Sequence, residues 1–197
     1  MKDNKASFTA MSVAYMRAYH AMHDTPKIFD DFLAYDLIPE EKRALIEQHL
    51  VEFYLNLNKE LNDSKHATSL SDQITTSMHF IQAINNIVSR ALYTEETLEK
   101  AVERGVKQYV ILGAGMDTFA FRRSEMMKCL EVFEIDHPAT QEFKLHRLTE
   151  LGWKHPAKLH FIPLDFTKES LVTALTQSSS YDPNVKASLA GLVSPPT

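Results

Sequence analysis

Two glycines and three carboxylates in this chain have the types and spacing to act together. Gly113 and Gly115 follow a β-favouring run, Tyr109 to Leu112, and Asp117 comes directly after them. A second apolar run, 131–135, ends in Asp136, and a third, 158–164, ends in Asp165. Glycines just beyond a strand let a ligand lie against the main chain. A carboxylate closing the next strand can accept two hydrogen bonds from the vicinal hydroxyls of a ribose. One closing the third strand can accept from an exocyclic amine such as adenine N6. Together they describe an adenosine site; the alternative for Asp136 and Asp165 is simple helix capping. A dinucleotide loop would carry a third glycine, but position 118 is threonine and bulky F-A-F-R-R follows. Asp117 also puts a negative charge where a pyrophosphate would lie. Adenosine without phosphate fits better, and S-adenosylmethionine, a sulfonium with a cationic amino group, suits an acidic pocket.

The elements that must carry these residues follow from periodicity. Residues 6–23 repeat apolar groups at helical spacing, with Phe8, Met11, Tyr15, Tyr19 and Met22 as the inner face. Pro26 ends that helix, and 27–38 reads as short helical turns. Pro39, Glu40 and Glu41 open a helix with an inner stripe from Leu45, Ile46, His49 and Leu50 through Phe53, Leu57 and Leu61. Asn62-Asp63-Ser64 breaks it. A third helix covers about 72–92, with Ile74, Met78, Ile81, Ile84, Val88 and Leu92 inside. A fourth covers 95–104, with Thr94 as N-cap and Gly105 past its end. The period then changes to strand, loop and helix: strands at 107–112, 131–135 and 158–164, a helix from Pro138 to Leu151, and a short helix capped by Thr167 and running to Gln177. That order predicts an α/β fold with a parallel sheet.

Composition narrows the classes. The 197 residues are 44% hydrophobic and 24% charged, which suits a folded globular chain. The net charge of −5, with no basic stripe, argues against nucleic acid as partner. A single cysteine, Cys129, fits a cytoplasmic location, and no apolar run is long enough for a membrane span. The nine histidines show no metal-ligand grouping. His20 and His23 read as a solvated pair, Cys129 as a small core residue, Glu134 as structural, and Arg122 as the partner of a carboxylate near the site. Arg90 reads equally as a helix-end cation and as a ligand group. Oligomeric state is not legible.

The chain resembles the leucine carboxyl methyltransferase family, in particular its bacterial branch of S-adenosylmethionine-dependent O-methyltransferases. The matching stretches are T-A-M-S-V-A-Y-M-R-A at 9–18, S-R-A at 89–91, G-V-K-Q-Y-V-I-L-G-A-G-M-D-T-F-A-F-R at 105–122, F-E-I-D-H-P-A-T-Q-E-F-K at 133–144 and F-I-P-L-D-F at 161–166. The resemblance implies a class I methyltransferase (Rossmann-like) fold with an N-terminal helical cap over 1–104 and the first half of the cofactor-binding domain over 105–185. It implies S-adenosylmethionine held by Arg90 at its carboxylate, Gly113 and Gly115 at its methionine part, Asp136 at the ribose, and Asp165 with Phe166 at the adenine. It implies transfer to a carboxylate or hydroxyl oxygen of a small, polyketide-like acceptor. A non-catalytic remnant and a nicotinamide-dependent oxidoreductase fragment are the alternatives.

By the same resemblance the second half of the sheet is missing. After Y-D-P-N the family continues with a segment like F-F-S-W-x-G-V-T, whereas this chain reads K-A-S-L-A-G-L-V-S-P-P-T. Codons can be chosen for Ser188 to Pro195 that, read one nucleotide earlier, encode F-F-S-W-F-G-V-T. The expectation is a frameshift near Lys186–Ser188, an aberrant tail over 186–197, and a truncated, impaired chain. Its first strand would then be an unpaired edge.

Overall fold

A computed structural model describes the backbone of residues 6–63 and 70–191, and their side chains other than those of 53–63 and 70–81. Helix α1 (Phe8–His23) opens where the Ser7 hydroxyl accepts from the Ala10 amide at 3.2 Å. Short α2 (Leu33–Leu37), α3 (Glu40–Asp63) and α4 (Leu70–Glu103) complete an N-terminal helical layer. The α/β part follows as β1 (Gln108–Leu112), α5 (Phe119–Arg122), a single 3-10 turn (Met126–Lys128), β2 (Glu131–Asp136), α6 (Pro138–Glu150), β3 (Leu159–Pro163), α7 (Leu171–Gln177) and β4 (Ala187–Gly191).

The four strands are all parallel in the order β3-β2-β1-β4. This is the α/β, class I methyltransferase type of arrangement that the sequence predicts, with one more strand. The apolar runs bury both faces, as a parallel sheet with helical crossovers requires. Val110, Phe133, Ile135 and Ile162 pack against Leu175 of α7. On the opposite face Tyr109, Ile111 and Val132 pack against Leu98 of α4 and Phe119 and Ala120 of α5. A third cluster joins α1, α2 and α6 through Ala14, Ala18, Leu37 and Leu148.

Several expectations are corrected here. The first strand is not an unpaired edge: Ala187–Gly191 runs beside it in parallel, Gln108 against Ala187 through Leu112 against Gly191. The buried Gln108 amide holds that strand's approach, donating to the Asp182 carbonyl at 2.8 Å and accepting from the Asp182 amide at 2.8 Å. The third and fourth helices are one. Thr94 does not cap a helix; its hydroxyl donates to the Arg90 carbonyl one turn back at 2.8 Å. Thr167 does not cap α7 either, since Ser170 stands at that position and Thr167 turns to Asp165.

The inner face of α1 is rotated from the predicted one. Met11 and Tyr15 are buried as predicted, but Phe8, Tyr19 and Met22 are exposed and Ala14, Ala18 and Ala21 are buried in their place. Close approach of this helix to the glycine loop selects small side chains over large ones. On α3, Ile46 is buried, but Leu45 and His49 are exposed. The stripe residues Phe53, Leu57, Leu61, Ile74, Met78 and Ile81, and the tail from 192 onward, lie outside the described residues or side chains.

Candidate functional site

The site begins where β1 stops. Gly113 and Gly115 both take positive φ, 67° and 53°, a conformation that side chains with Cβ disfavour. The turn is pinned to the neighbouring strand, because the Gly113 and Ala114 amides donate to the Ile135 carbonyl at 2.8 and 3.1 Å. Gly115 also has no room for a side chain: a Cβ there would stand 2.8 Å from the Ala10 Cβ of α1. The helical cap therefore rests directly on the loop.

Asp136 closes β2 beneath this turn. One of its oxygens accepts from the Gly115 amide at 2.5 Å and the other from the His137 amide at 2.6 Å. Burial raises its pKa, opposed by those two amides. Each oxygen keeps a second lone-pair direction, so the carboxylate can still accept from a ligand's hydroxyls. Asp165 is a neighbour through the β2–β3 ladder, where the Leu164 amide donates to the Asp136 carbonyl at 2.8 Å. Its carboxylate faces its own loop. It accepts from the Thr167 hydroxyl at 2.6 Å and pairs with Lys168 at 2.9 Å, and these hold its carboxyl well below the usual range. Phe166 is half-exposed beside it.

Arg90 lies elsewhere. It lines a cavity of about 510 Å³ enclosed by α1, α4, β1, the loop before α5 and the end of β4. Asp117 faces the same cavity with an apolar wall that includes Val13, Phe29, Ile87, Tyr109 and Phe119. Arg90 forms no ion pair with a described residue. The six predicted residues thus fall into two groups. Gly113, Gly115, Asp136, Asp165 and Phe166 lie at the sheet edge, Arg90 in the cavity, and the 113–118 loop runs between the two.

A buried charge network holds that loop. Arg17 of α1 donates to Asp31 at 2.8 Å and to the Met116 carbonyl at 3.0 Å. Thr118 donates to the same Asp31 at 2.5 Å. Arg122 pairs with Asp31 at 3.2 Å and also with Glu95, which takes Arg123 at 2.8 Å. Arg122 does pair with carboxylates near the site, as its position suggests. Glu134 pairs with Lys144 inside the protein, in line with a structural part.

Sequence reading missed Arg17, Asp31, Glu95 and Lys144. For Lys144 a signal existed: it shares the inner stripe of α6 with Gln141 and Leu148, all buried, opposite a glutamate in mid-strand. For Asp31 none did. His20 is also corrected, being buried rather than solvated; its ring bonds Asp24 at 2.6 Å and accepts from the Ile28 amide at 3.1 Å. Cys129 is half-buried and donates to the Met126 carbonyl. Among the described residues no His/Cys/Asp/Glu group of three could hold a metal, and no helix is long and apolar enough to cross a membrane.

Comparison with known proteins agrees with the motifs. The model of the family described as leucine carboxyl methyltransferase matches residues 10–193. A Bacillus subtilis protein named "Putative S-adenosyl-L-methionine-dependent methyltransferase YktD" is 41% identical over 183 residues, covering 93% of this chain and 57% of that protein. Proteins of the same description from Mycolicibacterium paratuberculosis and Mycobacterium marinum are 34% and 29% identical, over 56% and 80% of this chain and 36% and 46% of their own lengths. The chain therefore spans little more than half the length of the Bacillus relative and less than half of the other two.

Proposed function

This chain belongs to the leucine carboxyl methyltransferase family, and from that premise we propose that it binds S-adenosylmethionine at the β1–β3 edge and transfers its methyl group to a small-molecule oxygen. The observation that carries the reading is the junction of Gly115 and Asp136: a bare, positive-φ loop amide sits on the carboxylate that closes the next strand. The donor set fits the cofactor. Asp136 has lone pairs left for two ribose hydroxyls, and Gly113 and Gly115 leave the loop without side chains. Arg90 and Asp117 offer a cation and an anion to the ends of an amino acid. Asp165 with Phe166 would meet the adenine, for which Asp165 has to share or release its bond to Lys168.

The cofactor supplies a methyl carbon already activated by a sulfonium. What remains for the chain is to orient and to exclude water. The apolar wall of Val13, Phe29, Ile87 and Phe119 would desolvate the acceptor, and the network through Arg17, Asp31 and Arg122 would keep the loop in place. A carboxylate acceptor needs no base; a hydroxyl gives up its proton, and the carboxylates lining the cavity are Glu95 and Asp117. We place the acceptor among small molecules with a carboxylate or hydroxyl on a polyketide-like skeleton, and the reaction in the cytosol.

Calorimetric titration tests this. S-adenosylhomocysteine should bind and NADH should not. Binding of NADH alone would replace the reading with a nicotinamide-dependent one. Homocysteine-product binding without methyl transfer to any of a panel of phenols and carboxylic acids would leave a binding protein only.

A further inference from the structure

Three consecutive loop residues are each gripped by a cation from a different helix. Arg17 of α1 holds the Met116 carbonyl at 3.0 Å, Lys144 of α6 holds the Asp117 carbonyl at 2.6 Å, and Arg122 of α5 holds the Thr118 hydroxyl at 2.9 Å. Arg17 and Arg122 share Asp31 as counter-ion, so each is backed by the other's partner. The salt bridge of Lys144 among the described residues is with Glu134, and its charge also opposes the burial that raises the pKa of Asp136.

We propose that Lys144 is a positioning residue: its buried ammonium, bridging the Glu134 carboxylate and the Asp117 carbonyl, sets where the Asp117 side chain stands in the cavity. This rests on the cofactor reading given above. Both side chains of the pair are 1% exposed. Such a pair contributes little net stability, because desolvating two charges offsets their attraction. Here it is also incompletely satisfied. Glu134 Oε1 is buried with no hydrogen-bond partner, the one such side-chain atom among the described residues. A pair that is poor as a stabiliser, yet placed against the loop, points to a role in position rather than in stability. The geometry supplies the route. The Asp117 carbonyl is fixed from below by Lys144, and its carboxylate accepts from the Phe119 amide at 2.7 Å, opening α5. Moving the 117 peptide therefore moves both the cavity carboxylate and the start of α5.

The test separates position from stability. Lys144→Met alone strands a buried carboxylate and loses stability. The double variant Lys144→Met with Glu134→Leu removes both charges and keeps a similar volume, so its thermal midpoint should stay near that of the parent. Two quantities are then measured on the full chain: amide exchange over 113–119 without ligand, and affinity for S-adenosylhomocysteine. The proposal expects loop exchange to rise and affinity to fall, each by about tenfold, with the melting midpoint retained. Unchanged loop exchange, or faster exchange with undiminished affinity, overturns it. If the parent does not bind S-adenosylhomocysteine while the double variant still loosens the loop, the positioning by Lys144 stands and the cofactor reading falls.

Discussion

Glu134 is a carboxylate in a strand interior, and its ionisation has a direct consequence for stability. Burial pushes its carboxyl up to about 7, from an ordinary value of 4.5, against the pull of Lys144. Between those values the folded state keeps a proton that the unfolded chain releases, so the Glu134–Lys144 pair is fully ionic only above them. Its contribution to stability is therefore full below pH 4.5 and is lost as pH rises through about 7. Glu134→Gln should flatten that part of the stability-versus-pH curve relative to the parent, read by urea melts at several pH values. An unchanged slope would mean that Glu134 is ionised throughout. Asp136 belongs to the same scale. Its carboxylate faces the loop amide with lone pairs to spare, so Asp136→Asn should weaken S-adenosylhomocysteine by about ten- to hundredfold in calorimetry. Equal affinity would move the ribose elsewhere.

The elements meet at fewer points than their number suggests. Helix α1 touches the glycine loop through Ala10 and Gly115, where a Cβ would stand 2.8 Å from Ala10 and φ is already +53°. Gly115→Ala should cost about 1–3 kcal/mol in a urea melt, from strain and from lifting α1 off the loop. No loss would show that α1 yields freely. Helix α4 gives the opposite kind of forecast. Local residue types around Thr94 read as a helix start, yet the chain runs through it as one helix to Glu103. Because the Thr94 hydroxyl only bonds back to Arg90, Thr94→Ala should change stability by less than about 0.5 kcal/mol. A true cap would cost about 1 kcal/mol.

For the molecule as a whole, Asp31 is the joint between cap and sheet. It is wholly buried in the segment after α1 and takes Arg17, Thr118 and Arg122 at once. Removing it leaves two largely buried guanidinium groups sharing no anion. Asp31→Ala should destabilise the fold by about 3–5 kcal/mol, with the urea transition moving to lower denaturant. If the melt hardly moves, the cap is held without Asp31, by its apolar contacts and the Glu95 pairs with Arg122 and Arg123. At this scale β4 also matters: it covers the flank of β1, and its Ala190 and Gly191 wall the cavity.

The strands, their glycine turn and the carboxylates at their ends were legible because each is a local signal. A short continuous β-favouring run bounded by turn residues reads as a buried strand, a positive-φ turn wants glycine, and a strand end wants a polar residue. Those signals place Gly113, Gly115, Asp136 and Asp165 on one edge, and the structure puts them there, whereas Phe166 entered only through the family resemblance. What the sequence left open is everything set by distant pairing. Thr118 finds Asp31 across 87 positions, and Arg17 finds Met116 across 99. The inner face of α1 kept Met11 and Tyr15 but took in Ala14, Ala18 and Ala21 in place of Phe8, Tyr19 and Met22, and Ala187–Gly191 became a strand because β1 had an open flank with Gln108 to latch its approach. Periodicity says which side of an element is apolar. Which partner meets that side, and which buried charge finds a counter-ion there, is decided only when the elements pack.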